Sequence, residues 1–225
     1  LNDGMAFREY CVKLLGIPKS NLHIRKDATL NNMLAEINWM QNIAKAYGAE
    51  ARFIFYYAGH GMPDESNGTS YLLPVDGKSN ILATGYSMSR LYAELNGLNA
   101  ACVTVLMDAC FSGSKRGEGM LASARGVALK AKAEAPKGNM LVMTAAQGSE
   151  TAYPYKEKKH GLFTYFLLKK LQESKGKVTY GDLFDYVKTN VAQKSVVVNE
   201  KSQTPTIAVS GDLVSTWQGI RLNED

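Results

Sequence analysis

Residues 53–61, FIFYYAGHG, constrain the fold more than any other part of this chain. Phe53, Ile54, Phe55, Tyr56 and Tyr57 run without a polar break, and an Ala-Gly step then delivers His60 between two glycines. An unbroken apolar run with β-branched and aromatic members reads as a strand buried on both faces. Its Gly-flanked polar end reads as the exit from a sheet. His60 is therefore expected at a carboxyl edge, where open α/β sheets carry their ligands and chemistry. Residues 102–113, CVTVLMDACFSG, repeat the design: an apolar strand that ends in Asp108, Cys110 and a Ser-Gly turn. His60 precedes Cys110 by about 50 positions, and two buried strands bring the pair to one edge.

The segments between these strands are helical. Phe7, Cys11 and Leu14 share one helical face over residues 6–15, and Gly16-Ile17-Pro18 stops that helix. Thr29 is placed to cap a second helix, in which Met33, Ile37, Met40, Ala44 and Tyr47 recur at helical spacing before Gly48. Ser89 opens a third, with Leu91, Leu95 and Leu98 on one side. Residues 162–171 form an amphipathic helix, and a last one starts from a cap at Thr179 with Asp182 three residues on. Short strands are expected at 21–26, 71–75, 140–146 and 206–209, and polar turns or loops at 62–68 and 147–160. The alternation of strand and helix predicts an α/β domain with parallel strands joined by right-handed crossovers.

Residues 112–139 break the pattern. Gly, Ser, Lys, Arg, Ala and Glu dominate, and no large apolar residue recurs at a useful period. Such a segment inside a compact domain is usually functional, and here it reads as an exposed, protease-accessible linker between a larger N-terminal and a smaller C-terminal part. A chain of 225 residues suits one such domain, residues 1–225, and no stretch approaches the ~18–20 apolar residues of a membrane span. The reading is of a soluble protein, cytoplasmic or exported, with no membrane partner. The net charge of +5 is spread over scattered lysines, which argues against nucleic acid as a partner. Three cysteines without a CxxC spacing make no disulfide framework, and Cys11 and Cys102 read as small buried hydrophobes.

Cys110 follows its strand at the step into a loop, outside the core, where a thiol can act as a nucleophile. His60 can protonate a leaving amine, and the amides of Gly61 and Cys110 can form an oxyanion hole. Asp108 shares a strand face with Cys110 because positions i and i+2 project together. A carboxylate there opposes thiolate formation, so it suits recognition of a substrate arginine or lysine better than activation. A lone histidine or cysteine at a strand end is more often structural; paired at matching ends beside glycines, the catalytic reading prevails. His23 and His160 receive the structural reading. Zinc would need His60, Asp108, Cys110 and His160 without any short-spaced ligand pair, so no metal is expected. Residues 113–119 are glycine-rich but lack the Gly-Lys-Ser/Thr ending of a phosphate loop.

With YYAGHG around His60 and DACFSG around Cys110, the chain resembles the caspase-like peptidases, and within them the metacaspase-type and bacterial caspase-domain branch. The resemblance implies a caspase-hemoglobinase fold, a mostly parallel central sheet between two helical layers, and a cysteine endopeptidase with a Cys-His dyad acting on peptide or protein substrates. It also implies an acidic pocket built from Asp108 and from Asp3 of the Asn2-Asp3 step, with cleavage after Arg or Lys. Phe111 stands where metacaspases commonly carry His, and the aspartates that bind activating calcium in some of them are not recognisable, so no cofactor is expected. Domains of this type begin with a central strand. The sequence thus leads to the expectation of an apolar strand before Leu1, in the same chain or as a separate cleaved fragment. Lys115, Arg116, Arg125, Lys130 and Lys137 make 112–139 a candidate for self-cleavage, with Arg116 and Arg125 foremost. The competing expectation is a catalytically silent interaction module of the same fold.

Overall fold

The computed structural model describes residues 2–64, 66–111, 135–148 and 150–223. In chain order these form α1 (Asn2–Lys13), α2 (Leu30–Tyr47), β1 (Arg52–Pro63), β2 (Ser70–Leu73), β3 (Tyr86–Ser87), α3 (Met88–Asn96), β4 (Cys102–Cys110) and β5 (Met140–Thr144). There follow β6 (Pro154–Tyr155), β7 (His160–Gly161), α4 (Leu162–Glu173), α5 (Tyr180–Asn199) and β8 (Thr206–Val209). Six strands build one sheet in the order β3-β2-β1-β4-β5-β8, and β6 and β7 form a separate two-stranded hairpin. The centre of the sheet, β1, β4 and β5, is parallel; β2, β3 and β8 add antiparallel edges.

β4 is buried along its whole length, and its alternation divides the core. Leu106 and Cys110 face one cluster with Phe7, Cys11, Leu141 and Met143 beneath α1, α4 and α5. Val103, Val105 and Met107 face the other, with Ile37 and Met40 of α2 and Leu91 and Leu95 of α3. A sheet covered on both faces makes three layers, which is why β4 reads as a continuous apolar run. Caps set the helix ends. Thr29 and Asn32 exchange hydrogen bonds in a capping box, and Thr179 Oγ1 accepts from the Asp182 amide.

Four expectations need correction. β1 does not leave the sheet at His60: it runs on to Pro63, parting from β4 and pairing antiparallel with β2 over His60–Pro63, so 62–68 is not all turn and Met62 is buried. Nor is β1 buried on both faces. Beside Arg52 to Gly59, on the side away from β4, no strand lies among the described residues, and Ile54, Phe55, Tyr56 and Tyr57 are only half-buried. Residues 21–26 pair with no strand among the described residues: Asn21 ends a 3₁₀ turn begun at Lys19, and Lys26 enters another turn. The third helix is capped by Ser87, two residues before Ser89, and the Ser87 hydroxyl accepts from the Arg90 amide. Residues 112–134 of the linker lie outside the described residues, and with them Lys115, Arg116, Arg125 and Lys130. Lys137 is exposed next to β5, whose Met140 pairs with Val103. That is the far end of β4, about 23 Å from Cys110 at ~3.3 Å per residue.

Candidate active site

His60 and Cys110 are register partners on adjacent parallel strands, the last pair of the β1–β4 ladder. Register partners on neighbouring strands lie about 4.8 Å apart and point to the same face. That face is the one on which Ile54 and Tyr56 of β1 and Leu106 and Cys110 of β4 pack. His60 is exposed, whereas Cys110 is 5% exposed and belongs to the core cluster. The expectation of a thiol outside the core is thus not met in this conformation: the Ala152 amide donates to Cys110 Sγ at 2.8 Å, and Sγ lies 3.4 Å from the Ala152 carbonyl oxygen.

Gly61 comes next to the pair. A Cβ on it would stand 2.4 Å from the Cys110 carbonyl oxygen and as close to the Phe111 ring, so only glycine lets β1 pass the end of β4 here. Tyr57 fixes the other side of His60. Its hydroxyl donates to the His60 carbonyl at 2.8 Å and also lies 3.1 Å from the Leu73 carbonyl, spanning the point where β1 changes partners. The ring lies close over Gly59, where a Cβ would meet the Tyr57 hydroxyl at 2.6 Å.

Asp108 is fully buried. Its Oδ2 accepts from the Thr164 amide at 3.2 Å and from the Thr164 hydroxyl at 2.6 Å. Thr164 stands in the first turn of α4, whose N-cap, Gly161, has no side chain to supply a cap. Asp108 provides the cap from the neighbouring strand, and its charge suits the positive end of the helix dipole. Because a carboxylate accepts only, the Thr164 hydroxyl proton is committed to it, and the 2.7 Å contact between Tyr56 and Thr164 hydroxyls has Tyr56 as donor. Asp3, buried in the first turn of α1, reaches the same place from the other side. It accepts from His160 Nδ1 at 2.6 Å and from the Gly161 amide at 3.1 Å. The two candidate pocket carboxylates therefore meet around the His160-Gly161 step, 157 residues from Asp3 in sequence.

Spacing and composition single out neither Thr164 nor Ala152, whose roles depend on where α4 and the β5–α4 connection dock. His160, read from sequence as structural, is the hydrogen-bond partner of Asp3. His23 pairs with Glu36 and stacks on Trp39 at the surface. Burial pushes the Cys11 thiol up to about 12, in keeping with an inert core position. Among the described residues no group of three or more His, Cys, Asp or Glu is gathered to hold a metal, and no helix is long and apolar enough to cross a membrane.

A three-layer α/β domain that sets a cysteine and a histidine side by side at the ends of parallel strands defines a class of thiol-bearing domains. Comparison with known proteins narrows it: the model of the caspase domain family matches residues 2–212, and the chain belongs to that family of cysteine proteases. Similar solved structures include a protein from Geobacter sulfurreducens, at 23% identity and TM-score 0.60, covering 86% of this chain and 78% of that one. Caspase-1 from Spodoptera frugiperda is similar at 14% identity and TM-score 0.58, covering 93% and 77%. At these identities both comparisons speak for the fold alone. No curated protein matches the chain in sequence.

Proposed function

We propose that this chain is an endopeptidase in which Cys110 is the nucleophile and His60 its proton donor, with selection of Arg or Lys on the amino side of the scissile bond by Asp3 and Asp108. The observation that carries the proposal is the register partnership of His60 and Cys110 at the end of the β1–β4 ladder. In the reaction the thiolate attacks the peptide carbonyl carbon, and the oxyanion is held by the Gly61 and Cys110 amides. The C–N bond breaks as His60 gives its proton to the leaving amine. Water then hydrolyses the thioester and restores the thiol. Protein groups suffice for each step, and no metal or cofactor is called on.

The acidic pair supports the substrate preference, since two carboxylates converging on one glycine suit a guanidinium or ammonium group better than an apolar side chain. In the same reading the 112–139 segment is cut by the enzyme itself, after Arg116 or Arg125. In sequence these follow Cys110 by 6 and 15 residues, and a short flexible tether gives millimolar-order effective concentration, whereas Lys137 sits at the far end of the sheet.

A panel of peptides differing only in the residue before the scissile bond tests the proposal, run with wild type and Cys110→Ala. Hydrolysis after Arg or Lys, lost in Cys110→Ala, is the expected result, and intact mass of the same samples reports self-cleavage. Absence of hydrolysis with any peptide would favour a silent interaction module, and cleavage after Asp or Leu would remove the pocket assignment.

A further inference from the structure

We propose that the hairpin carrying Ala152 and His160 is the resting occupant of this site, and that His160 is a specificity-determining residue: its imidazole holds Asp3 in place of a substrate's basic side chain and yields to one. The proposal rests on Cys110 and Asp3 having the roles given above, and adds how the site is kept shut and what opens it.

Two contacts, one on each arm, carry it. On the first arm Ala152 is fully buried and its amide donates to Cys110 Sγ at 2.8 Å, leaving the thiol 5% exposed. A peptide carbonyl must come within about 3–3.5 Å of that sulfur to react, into space the Ala152 backbone fills. On the second arm His160 Nδ1 donates to Asp3 Oδ1 at 2.6 Å, and the following amide takes the other oxygen. The carboxylate that would receive a substrate cation is thus filled by the chain's own imidazole and amide. The arms are linked by pairing of Pro154 with Gly161 and Tyr155 with His160, and by the Leu162 amide donating to the Tyr153 carbonyl at 3.0 Å. Lifting His160 off Asp3 consequently pulls on the segment that covers Cys110.

The hairpin is built to move. A ladder of two residue pairs has little stability of its own, and its exposed tip turns through Lys159 at a φ of +57°. It is held down by Tyr155, packed edge-on against Tyr165, by the Tyr153 amide on Gln203 Oε1 at 2.8 Å, and by the Asp3 contact. The Asp3 contact alone of these is one a substrate can replace. The His160 side chain is 21% exposed and can be reached from solvent. An arginine side chain offers Asp3 a permanent charge and a two-pronged donor where imidazole offers one N–H, so arginine displaces it; an apolar side chain offers nothing in exchange. Asp108 packs against Gly161 but has an anchor outside the hairpin, the amide and hydroxyl of Thr164 in α4. Asp3 is the half of the pocket that opens, and Asp108 the half that stays.

The test uses labelling of Cys110 by iodoacetamide, followed by intact mass, with Cys110→Ala identifying the signal. Acetyl-arginine amide, but not acetyl-leucine amide, is expected to speed labelling of wild type. His160→Ala is expected to label faster without ligand, on the order of tenfold if the open form is a tenth of the resting population. The same substitution is expected to lower KM for arginyl peptides. His160→Asn, which can still donate to Asp3, is expected to fall between the two. Equal labelling rates in wild type with either amide would overturn the proposal, even where arginyl peptides are cleaved. If acetyl-arginine amide speeds labelling and no peptide is cleaved, the occupant stands and the peptidase reading fails. Should His160→Ala not fold, the two amides on wild type and the His160→Asn rate decide the matter.

Discussion

The Asp108 carboxylate stands where a side chain on Gly161 would have to go: a Cβ there would lie 2.2 Å from Asp108 Oδ2. The N-cap of α4 is bare because the strand beside it fills that space with its own carboxylate. Glycine is required here by close approach, since Gly161 has an ordinary extended backbone with φ −66°. Gly161→Ala is expected to destabilise the protein by about 1–3 kcal/mol, the usual range for overpacking. Gly211→Ala, with nothing within 4 Å of its Cβ, is expected to stay within about 0.5 kcal/mol. Urea unfolding of the two variants measures the difference.

How much of this was legible in the sequence depends on whether the deciding contact is local. The run of residues 102–110 reads as a doubly covered strand and is one, because every neighbour it needs is present. The run of 53–57 looks the same in sequence yet is half-buried, since an apolar run reports what could be covered and not what covers it. Gly61-Met62-Pro63 resembles a turn; pairing with Ser70–Leu73 makes it strand, and that pairing is a tertiary choice. Asp108 was legible as a group beside Cys110, but its second role as the cap of α4 depends on Thr164, 56 residues away. His160 reads as structural, and its partner could not be named from sequence because Asp3 lies at the other end of the chain.

Cys11 predicts a pH dependence. Burial raises its thiol from 9.0 to about 12 in the folded state. Below about pH 9 the thiol is protonated in both folded and unfolded chains, and the contribution is fully present. As pH rises further the unfolded chain releases this proton and the folded chain keeps it, so stability falls by about 1.4 kcal/mol per pH unit until pH nears the folded value. Tyr86 and Tyr180, also raised by burial, add to the decline at higher pH in any variant that keeps them. Urea midpoints between about pH 9 and 10 are expected to drop more steeply for wild type than for Cys11→Ala, and equal slopes would refute the assignment.

Tyr57 is expected to act through His60. Its hydroxyl spans the His60 and Leu73 carbonyls at the place where β1 changes partners, which sets how the His60 backbone meets Cys110. Tyr57→Phe removes that tie and leaves the ring over Gly59. Stability is expected to fall by about 1 kcal/mol, the usual net worth of such a hydrogen bond. Peptide hydrolysis is expected to lose kcat while KM holds, because the pocket carboxylates lie on other elements. A variant with wild-type kcat would show that this hydroxyl serves the fold alone.

Asp108 has two proposed duties, capping α4 and receiving a substrate cation, and two substitutions separate them. Asp108→Ala takes away the acceptor for the Thr164 amide and hydroxyl, and each buried group left unpaired costs about 1–3 kcal/mol. Asp108→Asn keeps a carbonyl oxygen that both Thr164 groups can donate to, while removing the charge and turning the other oxygen into an NH2 donor. The alanine variant is therefore expected to be the less stable by several kcal/mol, with asparagine close to wild type. On arginyl peptides the order changes: both are expected to lose roughly two to four decades in kcat/KM, since breaking a buried charge pair costs on the order of 3–5 kcal/mol. Urea unfolding and a kcat/KM series on arginyl and leucyl peptides measure the two duties independently. If Asp108→Asn keeps full activity on arginyl peptides, the carboxylate serves α4 and the basic residue is read elsewhere.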